Sequence, residues 1–325
     1  MNMEQVKLKS LENSSAINVF KKFGILKIYL VMTGLYMVSG LIQPNYFSVD
    51  HIMQLLLISS FLGIVAIGQT LVILTGGLDL SVAYMLNLGA VIMTQVSVEH
   101  GGTIALLVML SAGLVFGALN GIGVAYLHIS PIIMTLAMGS ILKSVTYVYT
   151  SGNPKGTAPE FLRFLGTGSF LGIKMAIWIW ILLSIFVVVL LSKTTFGRKL
   201  YSIGTNANVS YLSGVKNNYI IILVYMLSGL FSVLAGMMLV GYYGLSYIGM
   251  GDTFLLPSIA AVVIGGTSIM GGRGGYAGSL AGAVIIYILM SITTVFDMND
   301  AGREIIYGLV ILIVLFLYSR EANKR

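Results

Sequence analysis

The sequence predicts an all-α, polytopic membrane helix bundle, and three observations carry that expectation. Of the 325 residues, 57% are hydrophobic and only 9% charged, with a mean hydropathy of +0.96, against about 25% charged in an ordinary soluble domain. Apolar runs of span length, ~20 residues, recur from end to end. These runs, such as 177–191, are continuously apolar, whereas barrel strands alternate apolar with polar residues. A soluble chain of this length needs far more polar surface to cover its core.

Taken in order, the runs give about ten spans: 25–42, 52–75, 82–98, 104–127, 132–149, 175–191, 219–242, 254–269, 276–295 and 305–318. The first begins too late, and without a small-residue cleavage site, to read as a removable signal peptide. A single transmembrane domain over 25–319 is expected between two short tails, 1–24 and 320–325.

Lysine and arginine set the orientation. The N-terminal tail carries Lys7, Lys9, Lys21, Lys22 and Lys27, the loop 192–217 carries Lys193, Arg198, Lys199 and Lys216 without an acid, and the C-terminal tail carries Arg320, Lys324 and Arg325. All three are expected in the cytoplasm. Six spans separate the first tail from the loop and four more reach the end, so the even span counts agree with the charges. The net charge of +7 is thereby read as loop bias and not as a nucleic-acid surface. The connection 151–174, with Lys155, Arg163 and Lys174 against Glu160, is a mild exception on the outer side.

Several features follow from small and aromatic residues. Gly113, Gly117 and Gly121, and again Gly278 and Gly282, recur every four residues, which favours close helix packing inside the bundle over a dimer contact or a pore lining. Tyr46, Tyr242, Tyr243 and Tyr318 fall at span ends, as in an interfacial aromatic belt. Glycine pairs close apolar runs in both halves, Gly76-Gly77 and Gly265-Gly266, and interrupted helices in corresponding halves suggest an internal repeat of spans 2–5 with 7–10.

Catalytic chemistry is not expected. No phosphate loop of the G-x-x-x-x-G-K-[ST] type, no H-E-x-x-H and no G-x-S-x-G is present. The absence of cysteine excludes disulfides and thiol chemistry, and His51, His100 and His128 are too scattered for a recognisable metal motif. The chain is expected to bind no cofactor or metal of its own. If transport is driven by ATP, another subunit must hold the nucleotide.

Two charges inside or beside apolar runs need a reason, since a charge in hydrocarbon costs about 2.5–3.5 kcal/mol on insertion scales. Asp79 follows Gly76-Gly77 and reads either as a cap for the helix starting near Ser81 or as a contact for substrate or ion. It falls on the inner side, or at membrane depth if the adjoining helices are broken. Lys143, within the fifth span, reads as snorkelling to the interface, as paired, or as lining the substrate path. In the basic loop, Gly204-Thr205-Asn206-Ala207-Asn208 leads into Ser210–Val215, a short amphipathic helix closed by Gly214 that faces a partner, or else a solvated linker.

Three segments carry a family resemblance: 68–81 (GQTLVILTGGLDLS), 196–215 (FGRKLYSIGTNANVSYLSGV) and 257–275 (PSIAAVVIGGTSIMGGRGG). Together they resemble the inner-membrane permease subunits of ribose/xylose-type sugar ABC importers, a family with nucleoside and branched-chain amino-acid relatives; the similarity runs from about residue 47 to 318. The resemblance implies a homodimer or similar heterodimer in the lipid bilayer, two cytoplasmic ABC ATPase subunits carrying ATP and Mg, and an extracytoplasmic substrate-binding protein. It places ATPase coupling near Arg198, Gly204, Asn206, Leu212, Ser213 and Gly214, and leaves Gly76, Gly77, Asp79 and Lys143 as candidates for the translocation path. The alternatives are a nucleoside or branched-chain amino-acid ABC permease, and a proton-coupled secondary transporter. The chain departs from the usual pattern at Val209-Ser210-Tyr211 and at Val82-Ala83, and carries Lys143 where many relatives have arginine.

Overall fold

A computed structural model describes residues 25–295 and, beyond them, 298–299, 301–302, 305–306, 308–309 and 312. Twelve helices are labelled in chain order: α1 (Ile25–Ile42), α2 (Val49–Leu74), α3 (Val82–His100), α4 (Gly102–Ala125), α5 (Pro131–Thr150), α6 (Glu160–Thr167), α7 (Met175–Lys193), α8 (Thr195–Thr205), α9 (Ala207–Leu212), α10 (Asn217–Tyr243), α11 (Leu255–Ile264) and α12 (Tyr276–Val295). Eight of these, α1 to α5, α7, α10 and α12, are long and apolar enough to cross a membrane. Helices confine backbone hydrogen bonds within each segment, the condition hydrocarbon imposes. A two-residue antiparallel hairpin, Ser169–Phe170 with Ile173–Lys174, joins α6 to α7.

The span expected at 254–269 is corrected. Asp252–Phe254 is a 3-10 turn, α11 has only 10 residues, and the chain leaves it at Gly265. Gly265, Gly266, Gly271, Gly272 and Gly274 interrupt the apolar run, and the last four hold positive φ, which side chains rarely adopt. The tails expected at 1–24 and 320–325, and most of the span expected at 305–318, lie outside the described residues.

α2 sits at the centre. It is apolar all round, as a fully buried helix is, and every residue from Ser59 to Leu74 is buried. Ser48 caps its start by accepting from the His51 amide at 3.2 Å. α10 and α12 pack on it, and α10 also packs closely on α3 and α4. Small residues make those approaches possible: a Cβ on Gly117 would stand 2.8 Å from the Met226 Cα, and one on Gly121 2.6 Å from the Ile222 Cα. Gly278 and Gly282 likewise face Gly265 and Ala261 of α11. The glycine stripes therefore serve packing within the bundle. Trp180 of α7 donates to the Tyr276 hydroxyl at 2.7 Å, which donates to the Gly63 carbonyl at 2.9 Å, tying α7, α12 and α2 together.

α4, α5 and α7 each leave an apolar face uncovered, including Leu107, Val148 and Leu182. In a membrane protein such faces meet lipid or a second subunit, because hydrocarbon exacts no cost for them.

Candidate functional site

The basic connection between α7 and α10 folds into two short helices at one end of the bundle. Thr194 starts α8 by accepting from the Gly197 amide at 3.3 Å. Asn206 ends α8 and starts α9: its amide donates to the Ser202 carbonyl, and its side chain accepts from the Asn208 and Val209 amides at 3.0 and 3.1 Å. Asn206 is thus the corner between the two helices, a role suited to a short side chain that bonds nearby backbone. α9 closes at Gly214, whose φ is +81°. The Gly214 amide reaches Tyr211 O and the Val215 amide reaches Ser210 O, the paired bonds of a Schellman motif.

α9 is amphipathic, but it wears its apolar side outward. Ser210 is buried, while Tyr211 is 70% and Leu212 83% exposed, with Val209 beside them. Arg198, Ser213 and Gly214 are also exposed. Adjacent large apolar side chains left open on a six-residue helix mark an interaction surface more than scattered ones do.

The C-terminal end of α8 runs into a three-way junction. The Gly272 amide donates to the Leu74 carbonyl at 3.0 Å, joining the α11–α12 turn to the end of α2. Gly204 rests on both: a Cβ there would collide with the Leu74 carbonyl oxygen and with the Gly272 amide. Tyr201 donates to the Gly274 carbonyl at 2.8 Å, and a Cβ on Gly271 would stand 2.9 Å from the Gly76 amide. The turns after α2 and α11 share one geometry. Gly76 and Gly266 both take positive φ, and the bonds Gly76 N to Ile73 O and Gly77 N to Val72 O match Gly266 N to Val263 O and Thr267 N to Val262 O. The glycine pairs noted in the two halves are thus equivalent helix stops, and the turn that follows the second, at 270–272, reaches the first.

From this junction the chain runs to Asp79, which is 1% exposed. Its Oδ1 accepts from the Ser81 amide and hydroxyl at 2.9 and 2.6 Å, and its Oδ2 accepts from the Ser228 hydroxyl at 2.7 Å. Asn120 of α4 donates to Ser81 at 2.9 Å, and the Leu80 amide donates to Thr135 of α5 at 3.0 Å. Among the described residues no cation pairs with the carboxylate; the three donors compensate its burial instead. Ser228 stands eleven residues into α10, about 16 Å along its axis. Asp79 therefore lies within the bundle, where α3, α4, α5 and α10 converge, and its bonds to Ser81 hold the turn just before α3 without capping an amide of that helix.

Lys143 lies elsewhere. It is exposed on α5, although its neighbours Leu142 and Thr146 are buried, and it shares its face with Ser140 and Tyr147. The structure does not bring it to Asp79. Among the described residues no group of three or more potential metal ligands occurs.

Sequence reasoning missed Ser228 as a partner of Asp79, and Asn120 and Thr135 as partners of its neighbours Ser81 and Leu80. Their signal was slight, since each is a small polar residue in a largely apolar span. The turn 271–275 was noted only as a glycine-rich connection, and its contact with Gly204 depends on tertiary packing.

Residues 51–315 match the family described as branched-chain amino acid transport system / permease component. The chain is 35% identical to the ribose import permease protein RbsC of Haemophilus influenzae over 302 residues, 91% of this chain and 94% of that protein. It is 36% identical to the ribose import permease of Bacillus subtilis, covering 89% of this chain and 90% of that one. Identity to the autoinducer 2 import system permease protein LsrC of Salmonella paratyphi B is 30%, over 90% and 84% of the two chains. No solved structure matches the chain.

Proposed function

The chain belongs to the permease-component family of branched-chain amino acid transport systems, a family of transport subunits, and from that membership we propose that it is the membrane subunit of an ATP-driven importer for a monosaccharide or related polar solute. The observation that carries this reading is the outward-facing apolar helix α9, joined through Gly204 to the end of α2 and to the turn between α11 and α12. The ribose and autoinducer 2 relatives favour a sugar-like cargo over an amino acid.

In this reading the protein sits in the bacterial inner membrane with both termini and the basic loop in the cytoplasm. Two such subunits, identical or closely similar, pair in the bilayer. A cytoplasmic ABC ATPase, holding ATP and Mg, seats Val209, Tyr211 and Leu212 in a groove, with Arg198 at the rim. Asn206, Ser213 and Gly214 fix the attitude of α9. A binding protein on the far side delivers the solute. A two-state transporter moves only if a partner favours one state over the other, and closure of the ATPase pair supplies that preference at α9. Displacement of α8 passes through Gly204 to Gly272 and Leu74, and so to Gly76, Gly77 and the Asp79 segment. The exposed face of α5 bearing Lys143 is assigned to the path between subunits.

Uptake by proteoliposomes containing this chain, its ATPase and its binding protein tests the reading. Labelled sugar accumulates only with all three and ATP. Accumulation by the chain alone, driven by a proton gradient without ATP, overturns it in favour of a secondary transporter.

A further inference from the structure

At the end of the bundle opposite α8 and α9, a cavity of about 990 Å³ opens between the start of α2, the end of α10, the 3-10 turn at 252–254 and the last turns of α12. Its volume falls at the upper end of the range of small-molecule sites, about 300–1,000 Å³. Of the residues expected to line a translocation path, Gly76, Gly77, Asp79 and Lys143, none borders it.

The lining is of two kinds. Tyrosine rings stand along it: Tyr46 packs on His51 with ring centres 4.2 Å apart, and Tyr242 lies edge-on to Tyr243 at 5.0 Å. Polar groups sit between the rings. Gln54 donates to the Tyr242 hydroxyl at 2.8 Å, the Tyr46 hydroxyl pairs with Ser291 at 2.7 Å, and Asp252 also borders the space. The His51 Nε2 atom is shielded from solvent and finds no hydrogen-bond partner among the described residues, although buried polar atoms almost always have one. Tyr46, read from the sequence as part of an interfacial belt, is 3% exposed and faces inward.

We infer that this cavity is a polyol-binding vestibule within each subunit, taking a sugar-sized ring on its outer side. A sugar presents C–H groups on its faces and hydroxyls around its rim. Aromatic faces cover the former, while a carboxamide, a carboxylate, an imidazole and hydroxyls each bond the latter. An acyl chain has no use for His51, Gln54 and Asp252, and a small ion leaves most of the space empty. The ligand class rests on the importer reading; the cavity and its lining do not.

Because the chain has no cysteine, a single Ser291→Cys reports on the cavity alone. In right-side-out vesicles carrying the full transporter, a membrane-impermeant maleimide labels this variant from the exterior. One of D-ribose, D-xylose, D-galactose or D-mannitol slows labelling, about threefold at twice its dissociation constant. Adding His51→Phe, which keeps the ring contact with Tyr46, leaves the unprotected labelling rate unchanged and abolishes the protection. Three results overturn the inference: no labelling from outside, no protection by any of the four compounds, or equal slowing by glycine betaine as an osmotic control. Protection that survives both His51→Phe and Gln54→Leu overturns it as well. ATP-dependent uptake measured on the same variant separates the two proposals. Uptake without protection removes the vestibule and leaves the importer; protection without uptake of any sugar does the reverse.

Discussion

The amide of Gly272 donates to the carbonyl of Leu74 across 3.0 Å, so the turn between α11 and α12 is stitched to the last residue of α2. Gly204 lies against both atoms, with no room for a side chain. The loop that carries the exposed helix α9 thereby touches the end of α2 and the α11–α12 turn at once, and a shift of α8 moves both.

Gly204→Ala tests that contact. The added methyl meets backbone, not a yielding side chain, and overpacking of this kind costs about 1–3 kcal/mol. Expected are a lower melting temperature in detergent, normal membrane insertion and a loss of ATP-driven uptake of about tenfold, the equivalent of about 1.4 kcal/mol. Wild-type uptake would take the junction out of the mechanism.

At the surface of α9, Leu212→Asp replaces the most exposed apolar side chain of that helix with a charge. The variant folds with unchanged stability, since Leu212 is largely exposed among the described residues. Its ATPase no longer co-purifies, and sugar no longer stimulates ATP hydrolysis. Retained co-purification assigns docking to another surface.

Replacing Ser213-Gly214 with bulky residues acts on the attitude of α9. Gly214 holds φ at +81°, a conformation that costs an L-residue about 1–2 kcal/mol. Uptake coupled to ATP is abolished while insertion and yield persist. Normal uptake in this variant contradicts the assigned role of the loop.

The bond from Ser228 to Asp79 is best read by a double-mutant cycle. Hydrogen bonds to a charged group contribute about 1.5–3 kcal/mol, so Asp79→Asn and Ser228→Ala each lower thermal stability. Residues sharing one network couple by about 0.5–3 kcal/mol, and the double variant loses less than the two singles together. Strict additivity dissolves the proposed link between α3 and α10.

Lys143→Met probes the exposed face of α5. If that face lines the path, uptake falls several-fold at unchanged protein level and unchanged ATPase stimulation. Full uptake leaves Lys143 a snorkelling side chain whose head reaches the interface.

The long spans were legible because about twenty apolar residues in a row leave a membrane helix as the only economical structure. α11 was not, since the run 254–269 is apolar throughout and only the glycines after Ile264 show where the helix must stop. Asp79 was conspicuous as a lone carboxylate beside a glycine pair, and its bonds to Ser81, two residues on, are local enough to anticipate. Its bond to Ser228 spans 149 positions, and nothing in an apolar helix marks which distant group a buried serine meets. The loop helix was legible as amphipathic, but the outward direction of Tyr211 and Leu212 is set by Ser210 packing below. The cavity is assembled from four distant segments, so residues such as Tyr46 and Tyr242 read individually as belt aromatics.

The most direct test uses one cysteine placed at Leu212 in this cysteine-free chain. With an impermeant thiol reagent, everted vesicles are predicted to label rapidly, intact cells not at all, and added ATPase subunit to shield the position. Labelling in intact cells, or everted vesicles that label equally with and without the ATPase, contradicts the assignment of α9 as the point where a cytoplasmic motor drives the bundle.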